Sequence, residues 1–422
     1  MIKVNKNIQN LKPSATLAIN QKVKSLKDEG IEICHFGFGQ SPFPIQESIV
    51  KALMDNAAVN HYLPTFGFEK LRRAIALFLR KYQNIEMESD FIYIGPGSKE
   101  LLYQTILILD GVYLIPKGSW VSYGPQINSK NGKYEILETH IENNFKLSSE
   151  TLKQYCDAHP NQQKTLILNS PNNPTGAVYS HEELEQLAEV CRANNIIVLS
   201  DEIYSQINFT DDHSPSISRY YPEKTIVYGG LSKVFSAGGY RMGFMALPKD
   251  LQFMHNMYCS VFSETFSAVA APIQYAAVEA YKMSDDLVDY IDRSKLILKG
   301  ISQYIYSELG KVEIQCTYPQ GAFYMIIGFN NFKKEINSLK IYTSEQLANH
   351  LLKDYKVALL PGIDFYFDEN DLFFRLAFVD FNGQEVMNHY DRSTNIDKEF
   401  IRTFCPNIFE GIKKLIEFVT DL

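Results

Sequence analysis

Lys233 lies in the run Gly230-Leu231-Ser232-Lys233-Val234-Phe235-Ser236-Ala237-Gly238-Gly239-Tyr240-Arg241-Met242-Gly243. A lysine amine can condense with a carbonyl to form a Schiff base, and Arg241 can hold a phosphate dianion nearby. The small residues between them leave room for a flat aromatic group against the backbone. A Gly/Ser-rich surface turn carrying two ordinary cations is the alternative, so partners are needed elsewhere in the chain. Gly95-Pro96-Gly97-Ser98-Lys99-Glu100 is one, because it follows an apolar run and opens a helical one. N–H groups of Gly97, Ser98 and Lys99 at a helix start would cradle the phosphate that Arg241 completes. It is not a dinucleotide fingerprint, since position 100 is Glu rather than Gly. Asp201 follows the apolar stretch Ile196-Ile197-Val198-Leu199-Ser200, at a carboxyl end where α/β sites gather. A carboxylate there can serve chemistry or merely cap a helix. Arg375 is a charge inside the apolar stretch Phe373-Phe374-Arg375-Leu376, costly unless a ligand carboxylate or an internal salt bridge pairs it.

The lysine run meets every fixed position of the lysine-attachment signature of class I/II aminotransferases. The chain therefore resembles this family of fold type I enzymes dependent on pyridoxal 5′-phosphate (PLP). Ser200-Asp201-Glu202-Ile203-Tyr204, Asn169-Ser170-Pro171-Asn172-Asn173-Pro174-Thr175-Gly176, Trp120-Val121-Ser122-Tyr123 and His61-Tyr62-Leu63-Pro64-Thr65-Phe66-Gly67 match it in order. Lys12-Pro13-Ser14-Ala15-Thr16, residues 170–179 and Val357-Ala358-Leu359-Leu360-Pro361-Gly362 look closest to the bacterial aspartate aminotransferase subgroup. The likeness runs from about residue 11 to 378, and the last 40 or so residues carry no recognisable motif.

The resemblance implies that Lys233 binds PLP as a Schiff base and, once released, acts as general acid/base. Asp201 would keep the pyridine nitrogen protonated, while Tyr204 and Asn173 reach the ring oxygen and Trp120 stacks on the ring. Besides the cradle, Ser232 and Tyr62 would hold the phosphate, Tyr62 reaching it from the neighbouring subunit of a homodimer. Arg375 would bind the substrate α-carboxylate, with Trp120 and Asn173 beside it and Gly39 in the closing segment Gly37-Phe38-Gly39-Gln40-Ser41-Pro42. Lys99 either holds an acidic substrate side chain or solvates the phosphate rim. The implied reaction moves an amino group from an L-amino acid to a 2-oxo acid in ping-pong fashion. β- or γ-Elimination on the same fold is the alternative; a non-catalytic PLP sensor is a further one, which the lack of a basic helix-turn-helix segment argues against. Two departures stand out: Gly230 replaces a Ser or Thr, and Lys117-Gly118-Ser119 replaces Ser-Pro-aromatic after a shortened loop at Asp110-Gly111.

These residues need a frame. Phe91-Ile92-Tyr93-Ile94, Val112-Tyr113-Leu114-Ile115, Thr165-Leu166-Ile167-Leu168, Ile196-Ile197-Val198-Leu199 and Thr225-Ile226-Val227-Tyr228 read as strands buried on both faces. Residues 69–82 and 181–194 carry helical periodicity, the second opened by a Ser180 cap with Glu182 and Glu183 in its first turn. The alternation predicts a mainly parallel α/β sheet over roughly 90–245. Beyond 290 the pattern becomes a long helix, short strands at 321–327 and 373–378, then helix. The expected organisation is an arm at 1–45 joining the small domain, a large PLP-binding domain at 46–290 and a small α+β domain at 291–422. Residues 383–405 read as a polar connection, an insertion or lid.

Composition excludes other classes. The 422 residues carry 41 Lys and Arg against 49 Asp and Glu, net −8, with the cations scattered, which argues against a nucleic-acid or anionic-membrane surface. No apolar run approaches the ~20 residues a membrane span needs. The N-terminus is polar and lacks a signal-peptide core, and six well-separated cysteines read as reduced thiols, so the expected location is cytoplasmic. Nine histidines form no His-x-x-x-His pair, so no metal site is expected.

Overall fold

In a computed structural model of the chain, residues 3–9, 11, 13–211 and 214–422 are described; Lys12 of the N-terminal motif lies outside them. After the helix Ala15–Asp28 comes the short strand β1 (Cys34–His35). Seven strands follow: β2 (Ile92–Gly95), β3 (Val112–Pro116), β4 (Lys133–Leu137), β5 (Lys164–Asn169), β6 (Ile197–Asp201), β7 (Thr225–Gly230) and β8 (Gly243–Ala246). They form one sheet in the order β2-β8-β7-β6-β5-β3-β4, parallel except for β8, which runs against both neighbours. The five anticipated strands are all present. β4 was not anticipated, because as an edge strand it exposes Lys133 and Glu135 and lacks an apolar run.

Both faces of the sheet are covered, and side-chain alternation assigns residues to each. Tyr113, Ile167 and Leu199 face the helices Ser98–Ile108 and His255–Ser263. Leu114, Leu166, Leu168 and Val198 face Ser149–Ala158 and His181–Ala193. The last of these helices opens on a capping box in which Ser180 accepts from Glu183 N–H and the Glu183 carboxylate accepts from Ser180 N–H, worth about 1 kcal/mol.

The C-terminal third contributes β9 (Gln315–Cys316), β10 (Tyr324–Gly328), β11 (Val357–Ala358), β12 (Leu360–Pro361) and β13 (Phe373–Ala377). An antiparallel sheet is ordered β12-β13-β10-β9, while β1 pairs in parallel with β11 and so ties the N-terminal arm to this region. The helix Asp285–Gly310 spans position 290 without interruption.

The reading of 383–405 as a polar connection or lid is corrected. It contains the helices Gly383–His389 and Lys398–Phe404, whose Val386, Met387, Phe400 and Ile401 enter the main core. Arg293 anchors it by donating to the carbonyls of Met387 and Tyr390. Its apolar residues are too sparse to reveal that packing by periodicity. The final helix, Pro406–Thr420, lays Ile408, Ile412, Leu415 and Phe418 against the same core.

Candidate functional site

Adjacent parallel strands β5 and β6 end in register, Asn169 beside Asp201. The Asn169 side chain donates to Asp201 O (2.7 Å) and accepts from Asn173 N–H (2.8 Å), pinning the following turn to the strand ends. That turn carries cis peptides before both Pro171 and Pro174. It delivers Asn173 Oδ1 to within 3.2 Å of the Arg375 guanidinium.

Alternation puts Asp201 on the Leu199 face. No helix starts there, so the capping alternative does not hold; turns follow instead. Its carboxylate accepts from the Tyr123 hydroxyl at 2.8 Å and, more weakly, from Ile203 N–H at 3.4 Å. Burial pushes its pKa up to about 6, while those hydrogen bonds and the charge of Lys233 hold it back. Glu202 points to the opposite face. One of its carboxylate oxygens accepts from the Ser200 and Ser216 hydroxyls, the other is buried without a partner, and burial lifts its pKa to about 7.

Lys233 sits in the turn after β7. Its amine donates to Gly39 O at 2.8 Å and stands 5.6 Å from the centre of the Tyr204 ring and 5.3 Å from that of Phe323. Buried Tyr204 meets the hydroxyl of Tyr324 at 3.0 Å, and burial raises its pKa well above the usual phenol value. The departure at Gly230 has a steric cause: a Cβ there would lie 2.8 Å from Met242 O on the neighbouring strand. Ser232, half-buried, shares the Lys233 turn.

Gly97, at φ 98°, caps the helix Ser98–Ile108. Its N–H is directed to Gly95 O (2.7 Å), which leaves the cradle to the first-turn N–H groups of Ser98 and Lys99 and corrects the expected share of Gly97. What Gly97 provides is space, since a Cβ would come within 2.4 Å of an Arg241 nitrogen. Arg241 donates to Pro96 O and Gly238 O, each at 3.2 Å. The Lys99 pKa is lowered by burial and then by repulsion from Arg241. Arg241 and Lys99 thus put two mutually repelling cations near one helix N-terminus, where the field favours an anion. Gly243 closes this corner, where a Cβ would stand 2.3 Å from Ser98 N.

Trp120 is half-buried rather than core. Lys99 Nζ lies 5.2 Å from its ring centre, and its edge-to-face partner at 5.4 Å is Tyr123, the donor to Asp201. A groove of about 1070 Å³ opens beside Lys99, lined also by Ser14, Ile19, Val121 and Tyr366.

Arg375, 1% exposed, pairs across strands with Ile326 and Leu360. It donates to Asn173 Oδ1 and to Gly37 O (2.6 Å), and its Nε is buried with no partner. Those two acceptors are neutral; burial lowers its pKa, and the nearby Tyr324, Tyr204 and Asp364 hold it back. Gly39 O accepts from Lys233 and, at 3.3 Å, from Tyr324; a Cβ on Gly39 would be 2.1 Å from the Tyr324 oxygen. Tyr62 stands apart from this cluster, 92% exposed. Sequence reasoning missed Tyr123, Tyr324 and Asn169 as contributors. Tyr324 left one signal, a lone hydroxyl in an apolar strand; Tyr123 left none.

A family model described as aminotransferase class I and II matches residues 31–386. Aspartate aminotransferase of Bacillus subtilis is 33% identical over 379 residues, covering 87% of this chain and 93% of that protein. Asparagine–oxo-acid transaminase of Streptococcus mutans is 32% identical over 382 residues, covering 88% and 94%. In structure, aspartate aminotransferase of Thermus thermophilus superposes with a TM-score of 0.84 at 24% identity, covering 99% of this chain and 100% of that one.

Proposed function

Because the chain belongs to the class I and II aminotransferases and is a PLP-dependent aminotransferase, we propose that it takes an acidic L-amino acid as donor and seats the two substrate carboxylates on Arg375 and Lys99. The observation that carries this reading is the unmet guanidinium edge of Arg375: a buried Nε–H without an acceptor, beside two neutral ones. A carboxylate is the acceptor that such a fork is built for. Lys99, over the Trp120 ring and beside the groove, supplies the second cation. Bound PLP supplies an electron sink for charge developing at the substrate Cα.

The chain's residues fit that group. Lys233 forms the covalent attachment, and its freed amine carries a proton to and from the substrate carbon. Asp201, oriented by Tyr123, holds a proton on the pyridine nitrogen. Tyr204 and Asn173 would hold the ring oxygen, and Trp120 would lie against the ring. Ser98 and Lys99 N–H groups, Arg241 and Ser232 would bind the phosphate. The relatives compared are transaminases, which sets transfer above elimination on this fold.

Tyr62 is exposed because it serves a neighbouring copy: the protein works as a homodimer with Tyr62 reaching the partner's phosphate site. Mixed dimers of Tyr62→Ala and Lys233→Ala chains should then regain one intact site and exceed both parents in activity; no gain sinks the sharing. A cytoplasmic location suits the six free cysteines. Among the described residues, no helix is long and apolar enough to cross a membrane.

Borohydride reduction followed by peptide mapping tests the attachment, and an adduct on another lysine overturns it. A half-reaction screen of single amino acids against the loaded enzyme tests the donor class. Faster conversion of neutral than of acidic donors overturns that part.

A further inference from the structure

We propose that Tyr324 is a positioning residue that decides which way the Tyr204 proton points, tying the seating of residues 37–42 to the oxygen on the cofactor ring. The proposal rests on the roles given to Lys233 and Tyr204 above. Tyr324 heads β10, is 1% exposed, and touches three parts of the site at once. Its hydroxyl lies 3.0 Å from that of Tyr204 and 3.3 Å from Gly39 O, and the Arg375 guanidinium sits 4.7 Å over its ring.

Hydrogen-bond direction follows from donor counting. A carbonyl only accepts, so Tyr324 donates to Gly39 O. A phenol has a single proton, so the contact between the two tyrosines has to be donated by Tyr204. Gly39 O has two lone pairs and takes both Tyr324 and the Lys233 amine. With the 37–42 segment seated, the Tyr204 proton is therefore drawn toward Tyr324 and away from the ring oxygen. When the segment lifts, Tyr324 loses Gly39 O and can donate to Tyr204, whose own proton is then free for the ring.

The geometry leaves the rings little freedom to respond in any other way. Gly39 passes so close that a Cβ would stand 2.1 Å from the Tyr324 oxygen and 2.4 Å from its ring. The ring is held on its face by Arg375 and by an edge contact with Tyr204 at 5.7 Å and 88°. The proton is the part that can move.

Donation from Tyr204 stabilises negative charge on the ring oxygen and makes the nearby lysine nitrogen a weaker base. The pH at which the visible absorbance of the loaded enzyme titrates thus reports the Tyr204 proton. The experiment is this titration on loaded wild type, Tyr324→Phe, Tyr204→Phe and the double variant. Tyr324→Phe should lower the midpoint by about half a unit or more, since each unit corresponds to about 1.4 kcal/mol. In the Tyr204→Phe background Tyr324→Phe should add no shift. An unchanged midpoint in Tyr324→Phe overturns the proposal. So does an equal shift with and without the Tyr204 hydroxyl, which would mark a merely structural role. A wild type lacking any lysine-bound chromophore is a different result: it removes the attachment reading itself, and this inference with it.

Discussion

The two buried charges of the site are satisfied in opposite ways. Asp201, on the floor, has a designated donor in Tyr123, a second in Ile203 N–H and the charge of Lys233 within reach. Arg375, on β13, has two neutral acceptors, a buried Nε–H with none and the charge of Asp364 within reach. Burial opposes both charges, raising the acid and lowering the base. The protein supplies Asp201 with donors, whereas it leaves one Arg375 donor unmet. Leaving a buried donor unmet costs about 1–3 kcal/mol, which a carboxylate ligand returns on binding and can use for orientation.

Substitutions can break this contrast. The largest effect is expected at the floor. Asp201→Ala should keep the cofactor and lose about 10²–10³-fold in kcat for every donor, the size seen when a fixed electrostatic partner is removed. Near-normal kcat would mean that the floor carboxylate is structural only. On β13, Arg375→Lys keeps a cation but loses the fork, and kcat/KM should fall for acidic and neutral donors alike by about 2–3 kcal/mol, as a charge-assisted pair is worth. A loss confined to acidic donors would move the α-carboxylate elsewhere.

Glu202 sharpens the floor side, since its carboxyl is buried with one oxygen unmet. Burial lifts its pKa in the folded protein to about 7, above the ordinary glutamate value of 4.5. Between those values the folded state binds more protons than the unfolded one, so the stability of the cofactor-free protein falls as pH rises through that window. Glu202→Gln should flatten the fall, by up to about 3 kcal/mol at pH 8, in denaturant titrations from pH 4 to 8. An identical slope in the variant would show that Glu202 is not its source. The smallest effect belongs to Lys99→Gln, with KM for aspartate or glutamate rising about tenfold, or 1.4 kcal/mol, and neutral donors unchanged. Equal losses in both classes would leave Lys99 as a phosphate contact.

Legibility differed between the same two regions. The placement of Asp201, Tyr204, Lys233 and Arg241 at strand ends and in turns was readable because these are local features. The buried strands announced themselves through β-branched runs, and Ser180 through its spacing to Glu183. The surroundings of Arg375 were only half readable. Arg375 stood out as a charge in an apolar strand, but its neutral partners did not, and Tyr324 looked like strand filling. The Gly97 N–H was expected in the phosphate cradle and turned back to Gly95 instead. Residues 383–405 looked polar because their few apolar side chains pack at irregular intervals.

What the sequence by itself determined was the alternation of strands and helices and the spacing from Lys233 to Arg241. These depend on backbone preferences and periodicity within a few residues. Tertiary structure alone decided that Gly39 O meets Lys233 across 194 positions and that Asn173 meets Arg375 across 202. It also decided that Tyr123 rather than a helix N-terminus answers Asp201. Such pairs have no local signature, because they exist only once closed loops and packed sheets bring distant polar groups into one dry place where each must find a partner.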